Sequence, residues 1–372
     1  MEKLIWSIYK GLSEKGEFDL YICSLTNHGE NFMVNEFKSV PSEVLILNAS
    51  NKNFKARDYF TLLKTVFILS RYIARNKIDV VHSHDFFSAM VTRVSVLISV
   101  ILWWHKPRKN LVTLHNLFFW LKRPHRIINR FLSFFTDKII CVSKSVFEHS
   151  FHNDRIKKGK YSVIYNAIDG EVFKPDASMN VKYREIFNFK PCDFIIGNVG
   201  AFSFRKGHKY LVKAFSLLSN DFPDAYLVIF GSPMGHEDEI FYEIEMLIKE
   251  NHLEERVKII SPRKDIKHIY NMFDVFSMSS VTEGLSLAAL EAMLTQRVCI
   301  YSDIGPFREI IKDGINGFLF KSEDYKDLES KLRYVIKNYP SLENVKKQAR
   351  ESVLNDFNYT SMINNYYNLY KI

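Results

Sequence analysis

The residues from Ser279 to Phe320 read SSVTEGLSLAALEAMLTQRVCIYSDIGPFREIIKDGINGFLF. A turn at Gly284 precedes a helix-forming run, LAALEAML, which contains Glu291, eight positions after Glu283. If Glu283 lies in the loop before this helix, both carboxylates can approach one ligand near the helix start. Free N–H groups and the helix dipole favour an anion there, such as a phosphate, beside which carboxylates accept bonds from sugar hydroxyls. Two ordinary glutamates would give the same spacing, so the spacing alone leaves both interpretations open.

A second informative stretch, IIGNVGAFSFRKGHKYLVKAF, runs from Ile195 to Phe215. It predicts a strand, a turn at Gly200, the cations Arg205 and Lys206, and then a helix. Gly200 would let the backbone approach a ligand closely, and the two cations could neutralise a diphosphate. Neither a Walker A loop nor a G-x-G-x-x-G fingerprint is present. A solvated Lys-Gly turn is the alternative interpretation.

Strand-like apolar runs alternate with amphipathic helical patterns along almost the whole chain, which is typical of β-α-β units around parallel sheets. At about 150 residues per domain, 372 residues favour two domains. A polar, proline-containing stretch, 169–180, is the predicted linker. The predicted strands are Leu20–Ser24, Val44–Asn48, Asp79–His82, Asn110–Leu114, Lys138–Val142, Ser162–Tyr165, Phe194–Val199, Ala225–Phe230, Val257–Ser261, Val275–Met278, Val298–Tyr301 and Gly317–Phe320.

Composition excludes several classes of protein. A hydrophobic content of 47% supports a large core, which excludes a disordered tail and a disulfide mini-protein. The longest strongly apolar stretch, Val94–Trp104, is shorter than the roughly 20 residues that span a bilayer. We therefore expect no transmembrane helix, and the first residues show no signal-peptide pattern. Cysteines without metal-binding or disulfide spacing fit a reducing cytoplasm; they are Cys23, Cys141, Cys192 and Cys299.

The net charge of +9 belongs to the first half of the chain. Residues 1–175 hold 26 Lys and Arg against 15 Asp and Glu, whereas residues 176–372 hold 25 against 27. Residues 86–136 contain eight cations, ten aromatic side chains and no acid. Such a segment suits an anionic membrane or a nucleic acid, and no nucleic-acid-binding motif accompanies it. We expect peripheral membrane contact through 86–136 and no nucleic-acid partner; a core with a solvated charged face is the alternative.

In their order along the chain, these motifs resemble the retaining glycosyltransferases called glycosyl transferases group 1, or family 4, which have the GT-B fold. EGLSLAALEAM resembles the E-x7-E motif, NVGAFSFRKGHKYL the glycine turn and K-G phosphate site, and DGINGFLF the D-G-x-x-G-x-L end. VIYNAIDGEVFKP resembles the interdomain sequence, with Ala167 in place of the usual glycine. IICVSKSV, VVHSHDFFSA, TLHN and the ending NDFNYTSMINNYYNLYKI match further family segments, so the resemblance covers nearly the whole chain.

This resemblance implies an α/β protein of two Rossmann-like, doubly wound domains that face each other across a cleft. An acceptor-side domain would comprise residues 1–170, with the helix of 356–372 packing back on it. A donor-binding domain for the nucleotide sugar would comprise residues 176–355.

The resemblance also implies roles for the donor-site residues. Glu283 would accept hydrogen bonds from the donor sugar, and Glu291 from the ribose of the nucleotide. Lys206, helped by Arg205, would stabilise the diphosphate leaving group. The distal phosphate and nucleotide would lie against Gly200, Gly284, Leu285, Ser286 and Leu287.

Further implied positions lie outside these two motifs. Arg263 lies where the family receives the nucleotide base, and His115 where it places a histidine near the reacting sugar; a capped strand-end histidine is the alternative. His82 and His84 face the same side of a strand with metal-like spacing, but no third ligand is evident, so we expect no metal site. Apart from the nucleotide diphosphate sugar substrate, we expect no cofactor.

Two departures from the family pattern stand out. The family begins with a strand and a glycine-rich loop, whereas here the segment MEKLIWSIYKGLSEKG is already the first helix. Because that strand is normally central, we expect its neighbours to have unpaired backbone groups. Either the true start lies upstream of Met1, or the activity of this exact chain is impaired. Ala201 stands where many members have an arginine, for which Arg205 would compensate.

The sequence therefore predicts a retaining, metal-independent transferase that moves a hexose or N-acetylhexosamine from a nucleotide diphosphate sugar. The acceptor would be a glycan or lipid-linked sugar of surface polysaccharide synthesis, and the protein would work in the cytoplasm at the inner membrane face. Retention would follow from attack on the face that the diphosphate leaves, because no carboxylate can be singled out as a nucleophile. A silent nucleotide-sugar-binding scaffold and a nucleotide-sugar epimerase are the alternatives.

Overall fold

The computed structural model describes residues 2–25, 36–37, 43–47, 56–119, 121–233 and 238–371. The chain forms two compact units. Unit 1 comprises Met1–Tyr165 and Thr360–Ile372, and unit 2 comprises Asn166–Tyr359. The division after Tyr165 lies ahead of the predicted linker, so residues 169–180 belong entirely to unit 2.

Unit 1 alternates strands and helices, and its last helix comes from the end of the chain. The strands are β1 (Tyr21–Ser24), β2 (Glu43–Ile46), β3 (Val80–His84), β4 (Lys109–Leu114), β5 (Lys138–Cys141) and β6 (Tyr161–Val163). The helices of this unit are α1 (Glu2–Ser13), α2 (Ala56–Arg75), α3 (Phe86–Trp103), α4 (Arg123–Leu132), α5 (Lys144–Asp154) and α14 (Tyr359–Tyr370).

Unit 1 has two separate parallel sheets. Strands β1 and β2 form one sheet, and β3, β4, β5 and β6 form the other in that order. In the described part of the chain, β1 does not pair with β3, and each has a strand neighbour on one side only. Among the described residues, β1 and β3 therefore each leave one edge without a strand partner, as expected for this part of the sheet.

The returning helix α14 packs closely on α1. A Cβ atom added at Gly11 would lie 2.7 Å from the side chain of Ile363, so only glycine allows this approach. Farther along α14, Tyr367 and Tyr370 make edge contacts with the ring of Phe18. The C-terminal residues therefore complete the core of unit 1.

Among the described residues, one helix, α3, is long and apolar enough to cross a membrane, judged by length and composition alone. The longest strongly apolar run of the sequence, Val94–Trp104, covers only part of this helix, which is why no membrane-spanning helix was expected. In the structure 44% of the helix is buried. Val91 and Val96 pack in a core cluster with Val66 of α2. The first part of this helix therefore packs in the core of unit 1, whereas Ile101 and Leu102 near its end are exposed.

Unit 2 is a larger α/β unit made from one continuous segment. Its strands are β7 (Phe194–Val199), β8 (Ala225–Phe230), β9 (Val257–Ile260), β10 (Val275–Met278), β11 (Val298–Ser302) and β12 (Phe318–Phe320). The helices are α6 (Ala177–Ile186), α7 (His208–Leu218), α8 (Asp238–Glu250), α9 (Ile266–Ile269), α10 (Leu287–Leu294), α11 (Gly305–Arg308), α12 (Tyr325–Asn338) and α13 (Glu343–Asp356).

The six strands of unit 2 form one parallel sheet in the order β12, β11, β10, β7, β8, β9. Its central strands are apolar on both faces, as AYLVIF in β8 illustrates, because helices cover both sides of the sheet. All twelve predicted strands have a counterpart, so the predicted α/β fold class is confirmed. The strand order reverses beside β7, and ligands of open α/β sheets bind at such a point.

Candidate active site

Two loops of unit 2 meet because β7 and β10 are neighbours and parallel. The chain after β7 makes a 3-10 turn, Phe204–Lys206, and the chain after β10 runs through Ser279 to the start of α10. The backbone N–H of Val281 donates to the carbonyl of Arg205 over 2.8 Å, and Ser279 Oγ donates to the carbonyl of Gly207 over 2.8 Å. The two predicted motifs are therefore joined into one site.

Gly207 allows this junction. Its φ is +61°, in the left-handed region, and a Cβ atom there would lie 2.1 Å from the carbonyl oxygen of Ser279. Gly200 differs, because a Cβ atom added to it would make only ordinary contacts of 3.5 Å with Lys206. The close approach of two backbone segments in this site therefore occurs at Gly207, whereas the predicted approach of a ligand to Gly200 stays a prediction.

The central contact of this site is an ion pair between two of the four predicted catalytic residues. Lys206 Nζ donates to Glu283 Oε1 over 2.6 Å, and Ser280 Oγ donates to the same oxygen over 2.9 Å. The side chains of Lys206 and Glu283 are 19% and 8% exposed, respectively. The cation and the carboxylate therefore neutralise each other while little water reaches them.

The start of α10 lies directly after Glu283. Ser286 is the N-cap residue, but its side chain makes no capping bond, and its Oγ instead contacts Met278 Sδ at 3.5 Å. Within the described part of the chain, the backbone N–H groups from Gly284 to Leu287 donate to no protein group. These donors are therefore unsatisfied within the described part of the protein, and their predicted contact with a phosphate stays a prediction.

Glu291 differs from Glu283 in its surroundings. It is 3% exposed, and its Oε2 accepts a 2.6 Å hydrogen bond from the hydroxyl of Tyr270. Burial raises the pKa of Tyr270 well above its ordinary value, so this hydroxyl keeps its proton and donates. Glu291 is thus a buried, already bonded carboxylate, and its predicted contact with a ribose stays a prediction.

Arg263 is likewise engaged within the protein. Its Nε and Nη2 donate to the two carboxylate oxygens of Asp265 over 2.8 and 2.7 Å, and Tyr183 donates to Asp265 as well. The hydrogen bonds from Arg263 lower the pKa of Asp265 to about 2. A nucleotide base at Arg263 would therefore meet a guanidinium whose charge is already balanced.

His208 is a residue that the sequence reasoning missed, although it directly follows the K-G pair. It is 1% exposed, and its Nε2 lies 3.1 Å from Asn198 Oδ1. Because Asn198 Nδ2 donates to the carbonyl of Ser277, its Oδ1 is the acceptor, and the proton of His208 is assigned to Nε2. Burial lowers the pKa of His208 to about 3, which keeps the ring neutral behind Lys206.

A separate polar cluster lies in unit 1, at the carboxyl ends of β3 and β4. His84 Nδ1 lies 2.9 Å from His115 Nε2, and His82 contacts Tyr370 and Thr113 at 2.6 and 2.7 Å. Burial lowers the pKa of all three histidines, in the case of His84 to about 3. His115 thus lies in a neutral histidine cluster, and its predicted role near a sugar stays a prediction.

No group of three or more potential ligands in the described residues could hold a metal ion. His82, whose spacing to His84 resembles that of metal ligands, uses both ring nitrogens in hydrogen bonds, and the expected absence of a metal stays a prediction.

The basic segment 86–136 divides into internal and exposed cations. Arg93 is 2% exposed and donates to Asn129 over 2.6 Å, and Arg126 pairs with Asp154 at 3.1 Å. Lys109 donates to the carbonyl of Leu369 in α14. The remaining cations are exposed and are Lys106, Arg108, Lys122, Arg123 and Arg130.

Several large apolar side chains are exposed beside these cations. They include Trp104, which is 93% exposed, with Phe119, Phe131 and Phe134. Helix α2 extends the apolar surface beyond the predicted segment, because exposed Phe67 contacts the ring of Trp103 at 5.8 Å. The sequence reasoning missed α2, whose apolar residues recur at helical spacing and could have revealed this face.

Two families match the chain. Glycosyl transferases group 1 matches residues 180–352, and Glycosyltransferase Family 4 matches residues 1–172. Together the matches cover almost the full length.

Individual proteins agree with these matches. A UDP-Gal:alpha-D-GlcNAc-diphosphoundecaprenol alpha-1,3-galactosyltransferase of Escherichia coli is 26% identical, with 83% of this chain and 79% of that protein covered. An uncharacterized 41.2 kDa protein in the cps region of Klebsiella pneumoniae is 29% identical, with 85% of each chain covered. The crystal structure of Anabaena Alr3699/HepE in complex with UDP and glucose superposes with a TM-score of 0.84 at 18% identity, covering 99% of this chain and 95% of that one.

Proposed function

We propose that this chain transfers a hexose or N-acetylhexosamine from a nucleotide diphosphate sugar. The chain belongs to the group 1 glycosyltransferases, which have the GT-B fold. The acceptor would be a glycan or lipid-linked sugar in surface polysaccharide synthesis. The name of the Escherichia coli relative specifies a UDP-sugar and a diphosphoundecaprenol acceptor, which supports both choices. We assign donor binding to unit 2 and acceptor binding to unit 1.

The observation that carries this proposal is the Lys206–Glu283 ion pair beside the amides of Gly284–Leu287. A bound diphosphate would offer Lys206 a second anionic partner, and the amides would hold the phosphate farther from the nucleoside. Glu283 could then accept hydrogen bonds from sugar hydroxyls. Lys206 would stabilise the negative charge that grows as the diphosphate leaves.

We further propose that the reaction retains anomeric configuration and needs no divalent metal. Lys206 and the helix amides would supply the positive charge that a metal would otherwise provide. The acceptor hydroxyl would attack on the face that the diphosphate leaves, and the departing phosphate oxygen would take its proton. The protein would contribute positioning and electrostatic support, and no carboxylate nucleophile is invoked.

A donor screen tests this function. The full chain is incubated with nucleotide diphosphate sugars, with EDTA, with and without lipid-linked acceptors, and nucleotide diphosphate release and product anomer are measured. Acceptor-dependent release with a retained anomer, lost in Glu283→Ala, supports the proposal. Binding of a donor without any turnover supports a scaffold, and epimer formation without acceptor supports an epimerase.

We also propose that the protein acts in the cytoplasm at the inner membrane face, through residues 86–136. The five exposed cations and the neighbouring aromatics suit anionic headgroups, with each cation near the surface adding about 1 kcal/mol. Sedimentation with phosphatidylglycerol vesicles tests this surface. Lys122→Gln and Arg123→Gln should each lower binding about fivefold, whereas Tyr242→Ser, at an exposed aromatic of unit 2, should have no effect. Equal binding to phosphatidylcholine vesicles would contradict the proposal.

A further inference from the structure

The histidine pair of unit 1 is held by the register of β3 and β4. His84 pairs with Thr113 across the two strands, which brings His84 and His115 to the same sheet edge. The carboxylate of Asp85 accepts from the backbone N–H of His115 over 3.1 Å, and the N–H of Asp85 donates to the carbonyl of Thr113 over 2.8 Å. Asp85 has a φ of 69°, a conformation that non-glycine residues rarely adopt. The two rings are therefore held together by a locally strained connection.

The ring contact restricts the protonation of both histidines. Each neutral imidazole carries one N–H, and a hydrogen bond between His84 Nδ1 and His115 Nε2 needs one N–H and one lone pair. If His84 donates, both rings carry their proton on Nδ1; if His115 donates, both carry it on Nε2. The two rings must therefore have the same tautomer.

A second consequence concerns the two outer nitrogens, His84 Nε2 and His115 Nδ1. In either arrangement one of them is a donor and the other an acceptor. Neither has a hydrogen-bond partner among the described residues. His82 differs, because Tyr370 and Thr113 occupy both of its nitrogens.

We propose that His84 is a positioning residue for His115 and that the two rings change tautomer together. The pair presents one donor and one acceptor to neighbouring hydroxyls of a sugar. This inference rests on the proposed function for its ligand, since a polyol provides both donors and acceptors. His84 selects which nitrogen of His115 carries the proton, and the buried setting keeps both rings uncharged.

The direct test is NMR of the full chain labelled with 15N at histidine. Long-range 1H–15N correlations identify the protonated nitrogen of each ring, and His84 and His115 should show the same tautomer. Opposite tautomers would overturn the proposal, since two N–H groups or two lone pairs would then face each other. This measurement needs no transferase activity, so it still decides the inference if the proposed function fails.

Two variants test the effect on the reaction. His84→Leu removes the partner and should lower kcat about 100-fold, the cost of losing a precise alignment, with KM for the donor unchanged. His84→Asn should keep most of the activity, because a carboxamide can donate or accept near the position of Nδ1. His152→Leu, at an exposed histidine of α5, is the control and should have no effect.

Circular dichroism and thermal unfolding establish that the variants fold. A folded His84→Leu protein with normal kcat and an unchanged His115 tautomer would overturn the proposal. Loss of activity in both His84→Leu and His84→Asn, with the His115 tautomer unchanged, would also overturn it, because the effect would then not pass through this hydrogen bond.

Discussion

The site of unit 2 and the histidine cluster of unit 1 both lie at the carboxyl ends of parallel strands, but they differ in charge. In unit 2, Lys206 and Glu283 are charged and compensate each other across two loops. In unit 1, the pKa values of His82, His84 and His115 are lowered, so the cluster is uncharged. A charged site suits a diphosphate, and a neutral one suits hydroxyls. This difference supports the proposed assignment of donor binding to unit 2 and acceptor binding to unit 1.

Removing the cation of unit 2 tests this contrast most strongly. Lys206→Met should lower transfer about 1000-fold, because the leaving diphosphate loses its cation. Release of nucleotide diphosphate at saturating donor measures this loss. Lys209→Met is the matched control, because Lys209 is nearby but pairs with Glu243 at 3.8 Å. Near-normal turnover of Lys206→Met would remove Lys206 from the mechanism.

The Lys206–Glu283 ion pair should also affect the stability of the protein. Lys206→Met removes the cation that pairs with the largely buried carboxylate of Glu283. Among the described residues, Ser280 is then its remaining side-chain hydrogen-bond donor. Because an unpaired buried charge is costly, the free energy of unfolding should fall. Adding Glu283→Gln should recover much of the loss. A double-mutant cycle by urea denaturation measures the coupling, and strictly additive effects would contradict it.

A fall in pH should destabilise unit 1 more than unit 2. A histidine whose folded pKa is lowered stays neutral when folded but binds a proton once unfolded, so stability falls as the pH drops below about 6.5. Each such histidine contributes about 2 kcal/mol of destabilisation at pH 5. Unit 1 has His82, His84 and His115, with His208 the comparable residue in unit 2.

Hydrogen exchange between pH 7 and pH 5, corrected for intrinsic rates, follows this difference. Protection should fall earlier in β3 and β4 than in β7 and β10. Simultaneous loss of protection in both units, or earlier loss in unit 2, would contradict the greater acid sensitivity of unit 1.

A glycine substitution distinguishes backbone strain from a clash in unit 2. Gly314→Ala places a side chain at a φ of 75° with no neighbour within 4 Å, so it should cost about 1 to 2 kcal/mol. Gly207→Ala adds the clash with Ser279 and should cost more and also lower transfer. Urea denaturation and a transfer assay compare them. Equal costs and equal activities would indicate that the loop junction has no special role.

The smallest expected effect concerns the return of the chain to unit 1. Lys109→Met removes the hydrogen bonds to the carbonyls of Leu369 and Lys371 and should lower the free energy of unfolding by about 1 kcal/mol. Lys106→Met, at an exposed residue of the loop that precedes β4, should change the free energy of unfolding by less. Equal effects of the two substitutions would show that Lys109 does not anchor α14.

The order of motifs along the chain predicted the family and the α/β fold, and both are confirmed. Apolar runs of strand length also located all twelve strands, because buried parallel strands have a simple sequence pattern. The division into units was less predictable, because tertiary contacts rather than polarity assign residues 169–180 to unit 2. The exposed basic and aromatic surface of residues 86–136 was predicted only in part, since Arg93 and Lys109 have internal partners that composition does not reveal.

The sequence by itself determined which groups were available: a carboxylate before a helix, a lysine before a glycine, and histidines at strand ends. Only the tertiary structure decided their partners, which are Lys206 for Glu283, Tyr270 for Glu291, Asp265 for Arg263 and His84 for His115. Except for Arg263 and Asp265, these partners are far apart in the chain and meet through sheet order, strand register and helix packing. The sequence shows which chemical groups are present, whereas the partner of each group depends on distances that are set only when the chain folds.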